Sequence, residues 1–187
     1  RAPSGCASHR AMALQHFDRD ADPGEVSRFI SVHGYASIDD LADAELMDRL
    51  ANEVEPFVEA SDAGRDEYDG QFTRRTGSLI ERCPASRELV MHPTVVDTVR
   101  HFMGHATAHH VPSGQATMRR GSVLFYDGKV LHGAGANVSN EVRQGVNITY
   151  AVGWVRQEEN QYLACSQEVA RTLDDDIAKF VAELELN

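Results

Sequence analysis

Residues 121–163, GSVLFYDGKVLHGAGANVSNEVRQGVNITYAVGWVRQEENQYL, are the stretch whose reading decides the fold. Ser122 to Tyr126 is a short apolar run, and Asp127-Gly128 is a two-residue turn signal of the kind that joins strands. Val130-Leu131-His132 resumes the strand and ends it on an imidazole. The loop Gly133-Ala134-Gly135-Ala136-Asn137 is small enough for backbone and a bound group to approach closely. From Val146 the pattern has period two. Val146, Ile148, Tyr150, Val152 and Trp154 fall on one face, and Asn147, Thr149, Ala151 and Gly153 on the other.

Two residues of this stretch suggest chemistry. His132 closes one strand and Arg143 opens the next. Imidazole suits a first-row metal such as iron, and guanidinium grips a carboxylate with two parallel hydrogen bonds. The pair therefore matches the needs of an iron site that takes a dicarboxylate co-substrate. The bland alternatives are a solvated histidine and a surface pairing of Arg143 with Glu141 or Asp127.

Taken jointly, GSVLFYDG, the HGAGAN loop, the following arginine and GWVRQEENQYL resemble the C-terminal half of phytanoyl-CoA dioxygenase-like proteins. These are Fe(II)- and 2-oxoglutarate-dependent oxygenases. FTRRTGSLIERCPASRELVMHPTVV, residues 72–96, is similar to the same family less specifically. The resemblance implies a mainly β domain with flanking helices, a double-stranded β-helix (jelly roll, cupin-like). It implies oxidative decarboxylation of 2-oxoglutarate to succinate and CO2, coupled to O2-dependent hydroxylation of a small organic substrate. In that reading His132 is the distal iron ligand, facing into the barrel, and Arg143 holds the distal carboxylate of 2-oxoglutarate. Asn147, Thr149 and Trp154 are candidate pocket residues.

The family pattern also calls for a His-x-Asp or His-x-Glu pair on an earlier strand. His16-Phe17-Asp18 has the spacing but lies before the first helix, too early in the chain. His101, His105, His109 and His110 have no carboxylate two residues on. Between Met103 and Gly121 the chain offers only GHATAHHVPSGQATMRR, where family members carry several strands. A break, with a missing active-site segment, is expected between about residues 101 and 121. Its junction falls between Ala106 and Gly114, so the jelly roll is seen incomplete and its metal site empty. Two alternatives stand beside the hydroxylase. One is an iron halogenase of the same fold, in which chloride replaces the carboxylate ligand. The other is a non-catalytic jelly-roll binding protein.

The rest of the chain sets bounds. At 187 residues one domain is the default, over 13–187, with residues 1–12 read as a tag remnant or a disordered terminus. A net charge of −11 argues against nucleic acid and anionic membranes as partners. Three scattered cysteines suggest a reducing, cytoplasmic setting without a disulfide framework. No apolar run has the length of a membrane span, and no secretory signal is present. The sequence leaves the oligomeric state open.

Several further elements are legible. Glu25–Val32 is helical, ended by His33-Gly34, and Tyr35-Ala36-Ser37-Ile38 is a strand. Asp43 caps a helix whose stripe is Leu46, Leu50, Val54 and Phe57. Ser61 to Gly70 is an acidic loop. Arg74 and Arg75 read as solvated surface, with phosphate or carboxylate binding the alternative. Pro84 and Pro93 start helices. A last helix runs from near Ser166 with Val169, Leu173, Ile177, Phe180 and Leu184 on its apolar face, and Asp174-Asp175-Asp176 reads as a solvated turn.

Overall fold

Asp22 opens the first helix because its side chain accepts a hydrogen bond from the Glu25 amide at 2.9 Å, and Pro23 follows with its φ already helical. In the computed structural model the described residues are 14–66, 70–104, 115–133, 135, 137–152 and 155–183. Helix α1 (Pro23–His33) ends as expected at Gly34, whose φ of 82° closes the left-handed cap. The chain then enters strand β2 (Tyr35–Ile38), the centre of a three-stranded sheet. The short strand β1 (His16–Phe17) pairs with it in parallel, and β3 (Val123–Tyr126) pairs with it antiparallel, placing Tyr35 opposite Tyr126.

Helix α2 (Ala44–Glu59) starts at the cap of Asp43, which accepts from the Leu46 amide at 2.8 Å. Its stripe behaves as expected for three of four residues. Leu46, Leu50 and Val54 are buried, together with Cys83, Ala85 and Leu89. Phe57 differs. It lies at the helix end, partly exposed, with the Arg82 guanidinium 5.0 Å from its ring centroid. Arg74 also differs from the solvated reading, because its guanidinium donates to the carbonyls of Glu59 and Ser61 and ties the loop back to α2.

Helices α3 (Leu79–Arg82), α4 (Pro84–Val90) and α5 (Pro93–Met103) follow, the last two starting at the two prolines. Helix α5 packs on α1 and puts Val95 beside Val26, Ile30, Ala36 and Ile38. The single C-terminal helix expected from near Ser166 is instead two among the described residues, α7 (Gln167–Ala170) and α8 (Asp175–Glu183), with a short α6 (Gln161–Ala164) before them. The break has a local cause. Thr172 Oγ1 donates to the Val169 carbonyl at 2.7 Å, and Asp174 accepts from the Ile177 amide at 2.9 Å, restarting the helix. Asp174 is thus a cap and not merely a solvated turn residue.

Beyond β3 the expected strands do not join the sheet among the described residues. Asp127 makes its turn, its carbonyl accepting from the Val130 amide at 2.9 Å, but residues 130–133 continue as irregular chain. Residues 146–152 also lie outside any described ladder. Their alternation nonetheless survives as burial, with Val146, Ile148 and Tyr150 turned toward the core and Asn147 and Thr149 exposed. Residues 1–13 and 105–114, Trp154 and Leu184 lie outside the described residues, as does the Phe180 side chain. The expectations placed on them, including the break and its junction, lie there too. No described helix is long and apolar enough to cross a membrane.

Candidate functional site

The elements that place the candidate residues are β3 and the core-anchored segment 146–150. Tyr150 packs beside Val123 and Phe125 of β3, and its hydroxyl donates to the Val90 carbonyl at 2.8 Å. Burial holds that phenol above its ordinary pKa, so it stays a neutral donor. Ile148 reaches both the α2–α4 core and the Ile80–Val90–Cys165 cluster. This anchoring holds the segment that carries Asn147 beside β3.

His132 sits six residues past the end of the sheet's last pair, Tyr35 with Tyr126. Its Nδ1 lies 2.9 Å from the Val130 carbonyl oxygen. A carbonyl only accepts, so the neutral ring carries its proton on Nδ1 and leaves the Nε2 lone pair available. That arrangement is the one in which histidines serve as metal ligands. The ring centroid is 4.7 Å from that of Tyr126, and the residue is exposed, with no barrel around it among the described residues.

Arg143 is exposed as well. Neither Glu141 nor Asp127 pairs with it, so the surface ion pair weighed from the sequence is not formed among the described residues. Between the two, Asn137 closes a tight loop. Its amide donates to the Glu141 carbonyl at 2.7 Å, and its Oδ1 accepts from the amide and hydroxyl of Ser139 at 3.0 and 2.7 Å. Asn147 accepts from the Tyr126 hydroxyl at 3.3 Å, and Thr149 is exposed on the same side of the chain as Asn147. Tyr126 therefore touches two candidate residues. Sequence reading passed it over because it closes an apolar run and looks like an ordinary strand residue.

His16, whose spacing to Asp18 mimics the ligand pair, has a structural task instead. Its Nδ1 meets Asp39 at 2.7 Å and fastens β1 to the end of β2, where Arg119 also pairs with Asp40 at 2.6 Å. Hydrogen bonding from His16 is the main cause that lowers the Asp39 pKa.

These observations test the fit of an iron ion. His132 fits as one ligand, and Arg143 fits as the holder of a carboxylate. No group of three His, Cys, Asp or Glu side chains able to hold a metal occurs among the described residues. The described residues thus offer one side chain that could serve as an iron ligand and do not complete a site.

The chain belongs to the phytanoyl-CoA dioxygenase (PhyH) family, whose model matches residues 30–114 and 111–145. His132 and Arg143 fall in the second stretch. The two stretches meet at 111–114, inside the region where the sequence reading expects its junction. A relative in Cladobotryum sp, dioxygenase FrzG, is 33% identical over 75 residues, which are 40% of this chain and 24% of that protein. The chain thus matches about a quarter of the length of that curated relative.

Proposed function

We propose that the protein is an Fe(II)- and 2-oxoglutarate-dependent dioxygenase that hydroxylates a small organic substrate with release of succinate and CO2. Its catalytic domain is a jelly roll whose open face begins at β3. His132 is the distal ligand through Nε2, Arg143 holds the far carboxylate of 2-oxoglutarate, and Asn147 and Thr149 line the pocket. The other two ligands come from outside the described residues. One observation carries the reading: a histidine with its tautomer fixed for ligation precedes by eleven positions an arginine with no ion pair among the described residues, both within the family-matched stretch.

The test is succinate formation from 2-oxoglutarate by the protein supplied with Fe(II), with and without candidate substrates. Production that requires both iron and 2-oxoglutarate, and that His132→Ala abolishes, is the expected result. Undiminished succinate from His132→Ala removes the ligand role. A parent protein that forms no succinate and binds no 2-oxoglutarate favours the second reading, a non-catalytic jelly-roll binding protein. That second reading draws its support from the incomplete ligand set among the described residues and from the family match in two pieces. A chlorinated product in the presence of chloride identifies the halogenase alternative.

A further inference from the structure

We propose that Tyr126 is a positioning residue that sets the orientation and tautomer of His132 and couples it to the segment carrying Arg143 and Asn147. The arm from Gly128 to Gly145 has little else to hold it. A Cβ added at Gly128, Gly133, Gly135 or Gly145 would meet nothing within 4 Å. Leu131 is fully exposed, and Val138 and Val142 are 96% and 88% exposed. Against this background the contacts of Tyr126 stand out.

Its backbone is fixed by pairing with Tyr35, and the next amide, that of Asp127, donates to the Gly34 carbonyl at 2.8 Å. From this rigid point the phenol ring covers the His132 imidazole at 4.7 Å with a tilt of 52°. Its hydroxyl reaches over to Asn147 at 3.3 Å. One side chain thus bridges the two pieces of chain that bear the candidate ligand and the candidate carboxylate holder. The ring restricts rotation of the imidazole about χ2, so Nδ1 stays on the Val130 carbonyl and Nε2 is left out of that bond. Outer partners of this kind fix which ring nitrogen a metal can use.

As a metal-site device the inference rests on the ligand reading of His132; the tautomer itself does not. The experiment uses imidazole nitrogen chemical shifts of the full chain, above the pH at which the ring is charged. The native protein is expected to show His132 as the Nδ1–H form. Tyr126→Ala should give a mixture of both tautomers. Tyr126→Phe, which keeps the ring and loses the hydroxyl, should restore the Nδ1–H form. Retention of the Ala36–Phe125 cross-strand contact shows that β3 still forms in each variant.

Cobalt(II), followed by its broadening of His132 signals, is the metal probe. Affinity should fall by about tenfold in Tyr126→Ala and recover in Tyr126→Phe. An unchanged Nδ1–H form in Tyr126→Ala, with β3 intact, overturns the proposal. A tautomer that follows Tyr126 in a native protein where cobalt leaves His132 untouched upholds the positioning role and removes the metal reading instead.

Discussion

Gly121 shows how tightly one residue can bind the sequence to its structure. Its φ is 88°, and a Cβ there would lie 2.2 Å from the Ala42 carbonyl oxygen. Its own carbonyl accepts from the Ala42 amide at 2.9 Å, which locks β3 to the start of α2. Gly121→Ala is therefore expected to lose about 1–3 kcal/mol from backbone strain, with the collision adding to it. Urea unfolding should show a lower midpoint with an unchanged slope. Arg143 makes the corresponding prediction for function. Lysine restores charge but not the two-pronged geometry of guanidinium. Arg143→Ala should weaken 2-oxoglutarate binding by about tenfold or more, and Arg143→Lys should recover only part of that loss, as for any charge-assisted pair that loses one partner. Anaerobic calorimetric titration of 2-oxoglutarate into the Fe(II)-supplemented protein measures it. Iron affinity should stay level in both variants, because in the proposed role the guanidinium meets the keto acid's far carboxylate; an Arg143→Ala variant that titrates like the parent removes the co-substrate role.

Among the elements, α2 carries the clearest energetic expectation. Leu50 is buried at the middle of its stripe, between Leu46 and Val54 and against Leu89. Leu50→Ala should destabilise by about 2–5 kcal/mol, whereas Phe57→Ala, at the partly exposed end, should cost much less. Thermal or urea midpoints of the two variants decide the order. The same helix shows why the N-terminal half was legible in the sequence. The cap at Asp43, the stop at Gly34 and the starts at Pro84 and Pro93 are local signals, each read by backbone groups within four residues. Strands depend on partners distant in sequence, and that is where reading and structure part. The alternation from Val146 to Tyr150 correctly sorted buried from exposed residues, since burial needs only a core on one side. It could not supply a neighbouring strand, and no described ladder includes it. The C-terminal helix failed for a smaller reason. Its apolar spacing runs unbroken from Val169 to Ile177, but side-chain bonds from Thr172 and Asp174 compete with helical bonds and divide it. At the site, residue type, spacing and the family resemblance made His132 and Arg143 candidates. Tyr126 could not, because its importance lies in two contacts that no spacing rule foretells.

Across the whole molecule, carboxylates reinforce pairs of elements that also share apolar clusters. Asp39 joins β2 to His16 of β1 and to the Arg119–Ser122 segment. Glu81 of α3 accepts from the Ser166 amide at 2.8 Å and hydroxyl at 3.1 Å, holding the start of α7. Glu88 of α4 meets Arg49 of α2 through two bonds of 2.6 and 2.8 Å. Each of the three has its pKa lowered below the ordinary carboxylate value. The leading causes are the hydrogen bonds from His16, from the Ser166 amide and from Arg49 respectively. The sign follows from linkage. A carboxylate with a depressed folded-state pKa binds a proton more readily when the chain is unfolded, so stability falls as pH falls. The contribution is complete above the unfolded values, 3.8 for the aspartate and 4.5 for the glutamates, and is lost as pH drops through the lower folded ones. Screening by water and salt limits each pair, so the effect is expected as a sum over the three. Unfolding midpoints measured from neutral pH down to about 3 should stay level and then decline below about pH 4.5. A triple variant, Asp39→Asn with Glu81→Gln and Glu88→Gln, should start less stable at neutral pH and decline less steeply in acid. If parent and variant fall in parallel, these ties do not govern the acid response, and the decline belongs to other carboxylates of the chain.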